Sequence, residues 1–320
     1  MKISRRQFVK AMAAMSAASM LAACGGNSGS GSSGGKKALT FQIWDVAQKE
    51  GMEAMCAAYT QQHPEVSIEV QVTSWNEYWT KLEAAATSNQ MPDIFWMHTN
   101  EILKYADNGM LADCSDIVEK DKFSEISLSN AMGSNGTLYA VPKDKDTVGL
   151  VYNKEMFDAA GVAYPDENWT WDDLVSASEK IYAATGKYGY MAYADDQLGY
   201  WNFVYQAGGY ILNEDKTKAG FTQPATEKAM KFYIGLQQND WCPDQTYFAE
   251  TAPGTAFFSE KGAMFLEGDW NILAELQNYP EMVGKWDVAV LPKCPDPESG
   301  DGRATISNGL CYATAASNKN

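Results

Sequence analysis

The residues able to do chemistry in this 320-residue chain are acids and aromatics. There are 41 Asp and Glu, ten Trp and seventeen Tyr, against only two histidines, His63 and His98. Planar acceptor groups beside aromatic platforms suit a ligand that offers hydroxyls on its edges and apolar C–H on its faces. Other chemistries are poorly served. Two histidines exclude a multi-histidine zinc site. A Ser-His-Asp hydrolase would have to use one of those two. The nucleophile-elbow match Gly31-x-Ser33-x-Gly35 and the dinucleotide match Gly29-x-Gly31-x-x-Gly34 both fall in GGNSGSGSSGG (25–35), a run of Gly, Ser and Asn flanked by neither strand nor helix. Paired carboxylates can hydrolyse glycosides, but with 41 acids chance pairs are certain. No metal or cofactor is expected.

The net charge is −16, and setting aside the four positive charges of residues 1–23, which carry no acid, takes it to −20. One arginine, Arg303, lies beyond Arg6. Such a body repels phosphate backbones, which excludes nucleic acid as a partner, and it lacks the bidentate groups of an anion site. Residues 1–23 read as an export signal: a basic start, then thirteen apolar and small residues (11–23), too few to span a bilayer. LAAC (21–24) has the form of a lipobox, placing a lipid anchor on Cys24, and SRRQFVK (4–10) approaches the twin-arginine export pattern through Arg5 and Arg6. The Gly/Ser linker reaches about 17–20 Å as a flexible coil. The cysteines beyond Cys24 are scattered, with no disulfide framework, and Cys56 is expected to be a small buried hydrophobe.

The elements that must position the acids and aromatics are read from periodicity. LTFQIW (39–44) alternates as a strand. Met52, Met55, Cys56 and Tyr59 fall at i, i+3, i+4, i+7, predicting the core stripe of a helix that His63-Pro64 ends. Val66, Ile68, Val70 and Val72 alternate as a second strand, 76–87 reads as a helix, PDIFWM (92–97) as a buried strand and 101–108 as a helix stopped by Gly109. This β-α-β-α-β-α order predicts a parallel sheet covered by helices. A second series comprises a strand at 147–153, a helix at 154–160 stopped by Gly161, and a Thr170/Asp173 capping box opening another helix. Strands are then expected at 188–193, 262–266 and 286–291, with helices at 201–208, 226–238 and 269–277. Two α/β blocks without a sequence repeat predict two lobes, with ligand at the carboxyl ends of strands.

These residues resemble the family 1 extracellular solute-binding proteins of ABC importers, the maltose-binding-protein-like receptors. The resemblance runs from about residue 39 to 316. It is carried by FQIW (41–44), MPDIFWM (91–97), YADNGMLAD (105–113), GTLYAVPKDKDTVGLVYNKEMFDAAGV (136–162), NWTWDDL (168–174), FFSEKGAMFLEGDW (257–270) and WDVAVLPK (286–293). It implies a periplasmic-binding-protein-like α/β fold, two lobes around a ligand cleft with hinge crossovers near 144–149 and near Leu291. The corresponding division is a signal peptide at 1–23, an anchored linker at 24–37, lobe 1 from 38–145 and 292–320, and lobe 2 from 146–291. The family pattern continues past Asn320 for several helices, so lobe 1 is expected to be incomplete and the chain truncated.

The resemblance also implies site residues. Trp270, in GDW, matches a position that stacks on sugar, and Asp269 beside it is either a contact or a helix N-cap. Trp201 matches a cleft aromatic, and Asp196 and Gln197 a contact turn. Asp45, Gln48 and Lys49 match the first ligand loop, with turn chemistry as the plainer reading. Of Tyr78 and Trp79, one should face the cleft and one the core. His98 and Asn100 come directly after the third strand. Asp146 matches an acid at the crossover, Asn308 lies on the returning segment, and Asp93 is expected to be structural. Together these features imply a lipid-anchored, monomeric, extracytoplasmic receptor without enzymatic activity. It would carry a neutral sugar or oligosaccharide to ABC permease subunits. The alternatives are the same fold binding a polyamine, which the negative charge would suit, or another small solute, and a surface carbohydrate-active enzyme.

Overall fold

The computed structural model describes residues 36–213 and 217–318. The export motif at Arg5 and Arg6, the acylation site Cys24 and the Gly/Ser run at 25–35 lie outside the described residues.

The first series folds as its periodicity predicts. Strands β1 (Lys37–Ile43), β2 (Val66–Val72) and β3 (Ile94–His98) alternate with helices α1 (Lys49–Gln62), α2 (Trp75–Thr87) and α3 (Ile102–Asp107). β1 pairs in parallel with both β2 and β3. Asp93 joins β1 to the start of β3, its carboxylate accepting from the Thr40 backbone N–H at 2.9 Å and from the Thr40 hydroxyl at 3.1 Å. After helix α4 (Glu125–Asn130) and the short strand β4 (Val141–Pro142) the chain leaves this sheet. A segment from its far end then completes it. β10 (Leu310–Ala313) runs antiparallel between β3 and β4, giving the order β2-β1-β3-β10-β4. The sheet is therefore mixed rather than wholly parallel, because its fourth strand returns from the other block instead of succeeding a crossover helix.

Burial corrects one sequence expectation. On α1, Cys56 is buried, but Met55 and Tyr59 are 45% and 48% exposed. The helix touches its sheet along a narrow seam at Met52 and Cys56 beside Phe41, Ile43 and Val70, rather than along the full predicted stripe.

The second series comprises β5 (Asp146–Asn153), α5 (Lys154–Ala160), α6 (Trp171–Thr185), β6 (Tyr188–Tyr190), a π-type turn (Asp196–Tyr200) and α7 (Trp201–Gln206). It continues with α8 (Pro224–Leu236), α9 (Gln245–Glu250), α10 (Pro253–Phe258), β7 (Gly262–Gly268), a 3₁₀ turn (Asp269–Asn271), α11 (Ile272–Asn278) and β8 (Trp286–Ala289). Helix ends obey local chemistry. The Thr170/Asp173 capping box is formed, and Gly161 ends α5 in the left-handed region at φ 63°. The strand order is β6-β7-β5-β8, with β5 antiparallel to both neighbours. β7 is buried along its whole length, under helices on both faces.

The two sheets are joined by two lengths of chain that run side by side. One leads from β4 into β5. The other is β9 (Ser307–Asn308), which pairs antiparallel with the first residues of β5, Asp146 opposite Asn308 and Thr147 opposite Ser307. The return falls later than the expected Leu291. Leu291 and Cys294 belong to the second core, and Lys293 bonds through its backbone to Trp169 and Trp171. The Ala304 carbonyl accepts from Gln206, and the Ile306 N–H donates to Asn202. Residues 292–306 thus lie on the second sheet's core, because their apolar and backbone partners are there. The five cysteines Cys56, Cys114, Cys242, Cys294 and Cys311 are all free and buried.

Gly309 sits where the second crossing leaves β9, and a Cβ there would lie 2.7 Å from the Asp144 backbone oxygen of the first crossing. Gly309→Ala must push two backbones apart, and should lower stability by about 1–3 kcal/mol. A chemical denaturation curve superimposable on wild type would show that the crossings are not held at this spacing.

Candidate functional site: a cleft between the sheets

A cleft of about 370 Å³ opens where the carboxyl ends of β1, β3 and β7 meet the two crossings. The first sheet contributes Trp44, Asp45, Gln48, Trp75 and His98, and the second contributes Asp195, Gln197, Leu198, Trp270, Asn271 and Ala274. The crossings supply its base through Asp146, Asn308 and Leu310. Among the described residues lining it there is no Lys or Arg.

The aromatic wall on the first side is built on Trp44, the residue after β1. Trp75 stands edge-on to it at 5.1 Å, Tyr78 at 4.9 Å and Trp96 at 5.1 Å. This packing leaves the Trp75 indole 41% exposed at the cleft. On the opposite side the Trp270 indole lies over Gly268. A Cβ at 268 would come within 2.3 Å of it, so only glycine lets the ring lie flat on the backbone there.

Most of the polar groups are held by specific partners. Asp45 accepts from the Ala47 N–H at 2.8 Å and from the Gln48 amide at 2.9 Å, while Gln48 Oε1 accepts from Lys143 Nζ at 3.0 Å. Lys143 lies outside the lining, against Asp144 and 4.8 Å over the Trp96 ring, so its charge supports the loop from behind. His98 is buried, and burial lowers its pKa to about 4 against the opposing pull of Asp144. Its Nδ1 accepts from the Asn100 N–H at 3.2 Å. The neutral ring therefore carries its proton on Nε2, a donor available to a ligand. Asn308 donates to Gln197 Oε1, linking the crossing to the π-type turn. Buried Asn202 clamps that turn, donating to the Gln197 and Gly199 carbonyls at 2.7 and 3.1 Å. Asp195 caps the turn through the Leu198 N–H at 2.7 Å, and burial raises its pKa.

Of the sequence-derived candidates, the structure brings Asp45, Gln48, His98, Asp146, Gln197, Trp270 and Asn308 together at the cleft. Seven others lie off it. Tyr78 is buried, its hydroxyl donating to the Trp96 carbonyl at 2.6 Å, and Trp79 packs beside it against Trp44. Neither faces the cleft, because the helix phase gives that place to Trp75. Lys49 lies on the outer face of α1, 3.3 Å from Glu53. Asn100 is exposed and meets His98 only through its backbone. Asp196 accepts from its neighbour's N–H. Trp201 opens α7 behind the turn, its indole Nε1 buried without a hydrogen-bond partner. Asp269 is drawn to the crossing, where it accepts from the Thr147 N–H at 3.1 Å. Sequence reasoning misses Trp44, Trp75, Asp195, Leu198, Asn271 and Leu310. Trp44 and Trp75 carry a signal, an aromatic directly after a strand and one opening the next helix.

These features define a two-lobed α/β fold with a ligand cleft at its hinge. The profile of the bacterial extracellular solute-binding proteins matches residues 44–319, and the chain belongs to that family. The lactose-binding protein of Rhizobium radiobacter is 26% identical over 267 residues, 80% of this chain and 61% of that protein. The arabinooligosaccharide-binding protein of Bacillus subtilis is 26% identical over 304 residues, 90% of this chain and 67% of its own length. The chain thus spans three fifths to two thirds of these relatives. An ABC substrate-binding protein from Listeria monocytogenes, solved in complex with cycloalternan, superposes with a TM-score of 0.77 at 25% identity, covering 89% of this chain and 72% of that one.

Asp146 provides a test of the cleft's electrostatics. Burial, then Asp144 and Asp269, raise its pKa to about 6 against the opposing effect of Lys143. The folded state therefore holds a proton that the unfolded chain releases near pH 4, and stability falls as pH rises from about 4 to 6. Asp146→Asn removes that loss. Its Tm should exceed wild type by about 1–3 °C at pH 7.5 and converge with it near pH 4. An equal Tm at both pH values would mean that Asp146 is fully solvated.

Proposed function

We propose that this chain is the extracytoplasmic receptor of an ABC importer, and that its cleft takes a neutral sugar or oligosaccharide. The observation that carries the reading is the pairing of indoles from both sheets, Trp75 and Trp270, around fixed hydrogen-bonding groups in a cleft without cationic side chains among its described lining residues. Indoles cover the apolar faces of a sugar ring. Asp45, Asp146 and Asp195 accept from its hydroxyls, and His98 donates to its oxygens. The cleft offers no bidentate partner for a carboxylate or phosphate. Relatives named for lactose, maltotriose and arabinooligosaccharides support the same class.

In this reading lobe 1 is 38–145 with the strand β10 and the residues after it, and lobe 2 is 146–306. The lobes close on the ligand by bending at the paired crossings. Ligand is delivered to permease subunits, and no covalent chemistry is done on it. The monomer is tethered outside the cytoplasmic membrane by lipid on Cys24, after export directed by the segment containing Arg5 and Arg6, and the linker keeps the body near the membrane surface.

A thermal-shift panel of lactose, maltotriose, arabinotriose and spermidine tests the reading. A sugar at 100 times its Kd should stabilise by about 2.7 kcal/mol. Trp270→Ala should weaken binding of that sugar by about 1–3 kcal/mol. A response to spermidine alone would replace the ligand class, and release of reducing ends from maltotriose would replace the receptor by an enzyme.

A further inference from the structure

Glu267 is a buried acid, with 5% of its surface exposed, at the end of β7. It does not line the cleft. Its Oε1 accepts twice, from the Gly268 N–H at 2.8 Å and from the Asn271 side-chain amide at 2.8 Å. Asn271 does line the cleft, one residue after Trp270. A carboxylate oxygen that accepts from Nδ2 fixes which end of the amide is which, so the Asn271 carbonyl oxygen is the end left for the cleft.

Resting on the sugar-receptor reading, we propose that Glu267 is a positioning residue for ligand recognition. It holds Asn271 so that its side-chain oxygen accepts from a ligand hydroxyl next to the Trp270 stacking surface.

The other carboxylate oxygen completes the argument. Glu267 Oε2 and Glu275 Oε1 converge over Gly254, where a Cβ would lie 3.5 Å from the first and 2.9 Å from the second. Burial raises the pKa of both acids, that of Glu267 to about 7, with Glu275 and Asp195 adding to it and the Asn271 and Gly268 donors opposing. A proton taken up near neutral pH has one place to go. Oε1 already faces two N–H donors, so the proton sits on Oε2, toward Glu275. Oε1 stays an acceptor in either charge state, and Asn271 keeps its orientation. Gln at 267 can reproduce this arrangement, its oxygen in place of Oε1 and its NH₂ toward Glu275. Ala cannot.

Two measurements on the folded chain decide the matter. The first needs no ligand. The Asn271 side-chain NH₂ signals, identified by their loss in Asn271→Ala, should shift markedly in Glu267→Ala and much less in Glu267→Gln, which keeps an acceptor in place of Oε1. The second is calorimetric titration with lactose, maltotriose and arabinotriose. For a sugar that binds wild type, Asn271→Ala and Glu267→Ala should each weaken affinity by about 5–20-fold. Glu267→Gln should stay within about threefold of wild type, and the double alanine variant should be no weaker than Asn271→Ala alone. Wild-type affinity in Asn271→Ala, additive losses in the double variant, or Asn271 NH₂ signals unmoved by Glu267→Ala would overturn the proposal. Failure of every sugar to bind wild type would instead sink the receptor reading, and the response of the NH₂ signals to Glu267→Ala would still decide the Glu267–Asn271 geometry.

Discussion

The cleft depends on one constraint: the two lengths of chain that pass between the sheets are paired with each other. Asp146 and Thr147 pair with Asn308 and Ser307, and Asp144 accepts from the Leu310 N–H at 2.7 Å as the second crossing enters β10. Pairing satisfies part of the backbone of both crossings, and the side chains of Asp269, Asn202 and Asp144 take up the N–H groups of Thr147, Ile306 and Leu310. It also fixes where the lobes meet, and so where the ends of β1, β3 and β7 face one another. The contacts that radiate from it hold the cleft wall. Thr147 takes up Asp269, Asn308 takes up Gln197, and Ile306 takes up Asn202, the clamp of the π-type turn. A two-stranded ribbon of this kind resists stretching and slipping but bends, which is what a cleft between lobes requires.

The distribution of charge has the same origin. Three acids face the cleft, and Lys143, the cation whose charge acts on Asp146, is turned behind the wall over Trp96. Through Gln48 and Asp45 it ties the first crossing to the loop after β1. The lysine thus offsets part of the acid charge without presenting a cation to the ligand. In the proposed reading the ligand meets acceptors, a neutral imidazole donor and indole faces. Such a combination would discriminate against anions by desolvation and repulsion, and against apolar solutes by leaving the acids unpartnered.

The parts of this arrangement legible in the sequence are those set by local rules. The Thr170/Asp173 box, the Gly161 stop and the alternation of β1 and β2 depend on neighbours a few residues away, and all form. Asp45, His98 and Trp270 are legible because strand carboxyl ends face the cleft whatever the side chain. Phase and partner choice are not legible. Periodicity gives the direction of a helix face but not the width of the sheet beneath it, so the stripe on α1 looks wider in sequence than the seam it makes. Trp75, Tyr78 and Trp79 are aromatics in one turn, and a small rotation of α2 decides which of them reaches the cleft. Asp195 and Leu198 lie in a π-type turn that has no period to read. The antiparallel β10 and the late return at β9 are set by partners more than 100 residues away, and two- to four-residue strands carry no pattern of their own.

The acids whose roles are hardest to read from sequence sort by what satisfies them. Asp93 and Asp269 spend their oxygens on backbone or hydroxyl donors of another element, and their work is to hold strands and crossings in place. Asp146 has Asp144 and Asp269 as electrostatic neighbours and a pKa displaced toward neutrality. In the proposed reading such an acid at the cleft is one whose partner arrives from outside. Glu267 belongs to neither set. Its partners are inside, but one of them, Asn271, reaches the cleft. In the proposed reading an amide at the cleft adds discrimination only if its sense is fixed. The Glu267 oxygen that faces Asn271 fixes that sense, because it already accepts from two N–H groups and has no proton to offer the carbonyl of a reversed amide.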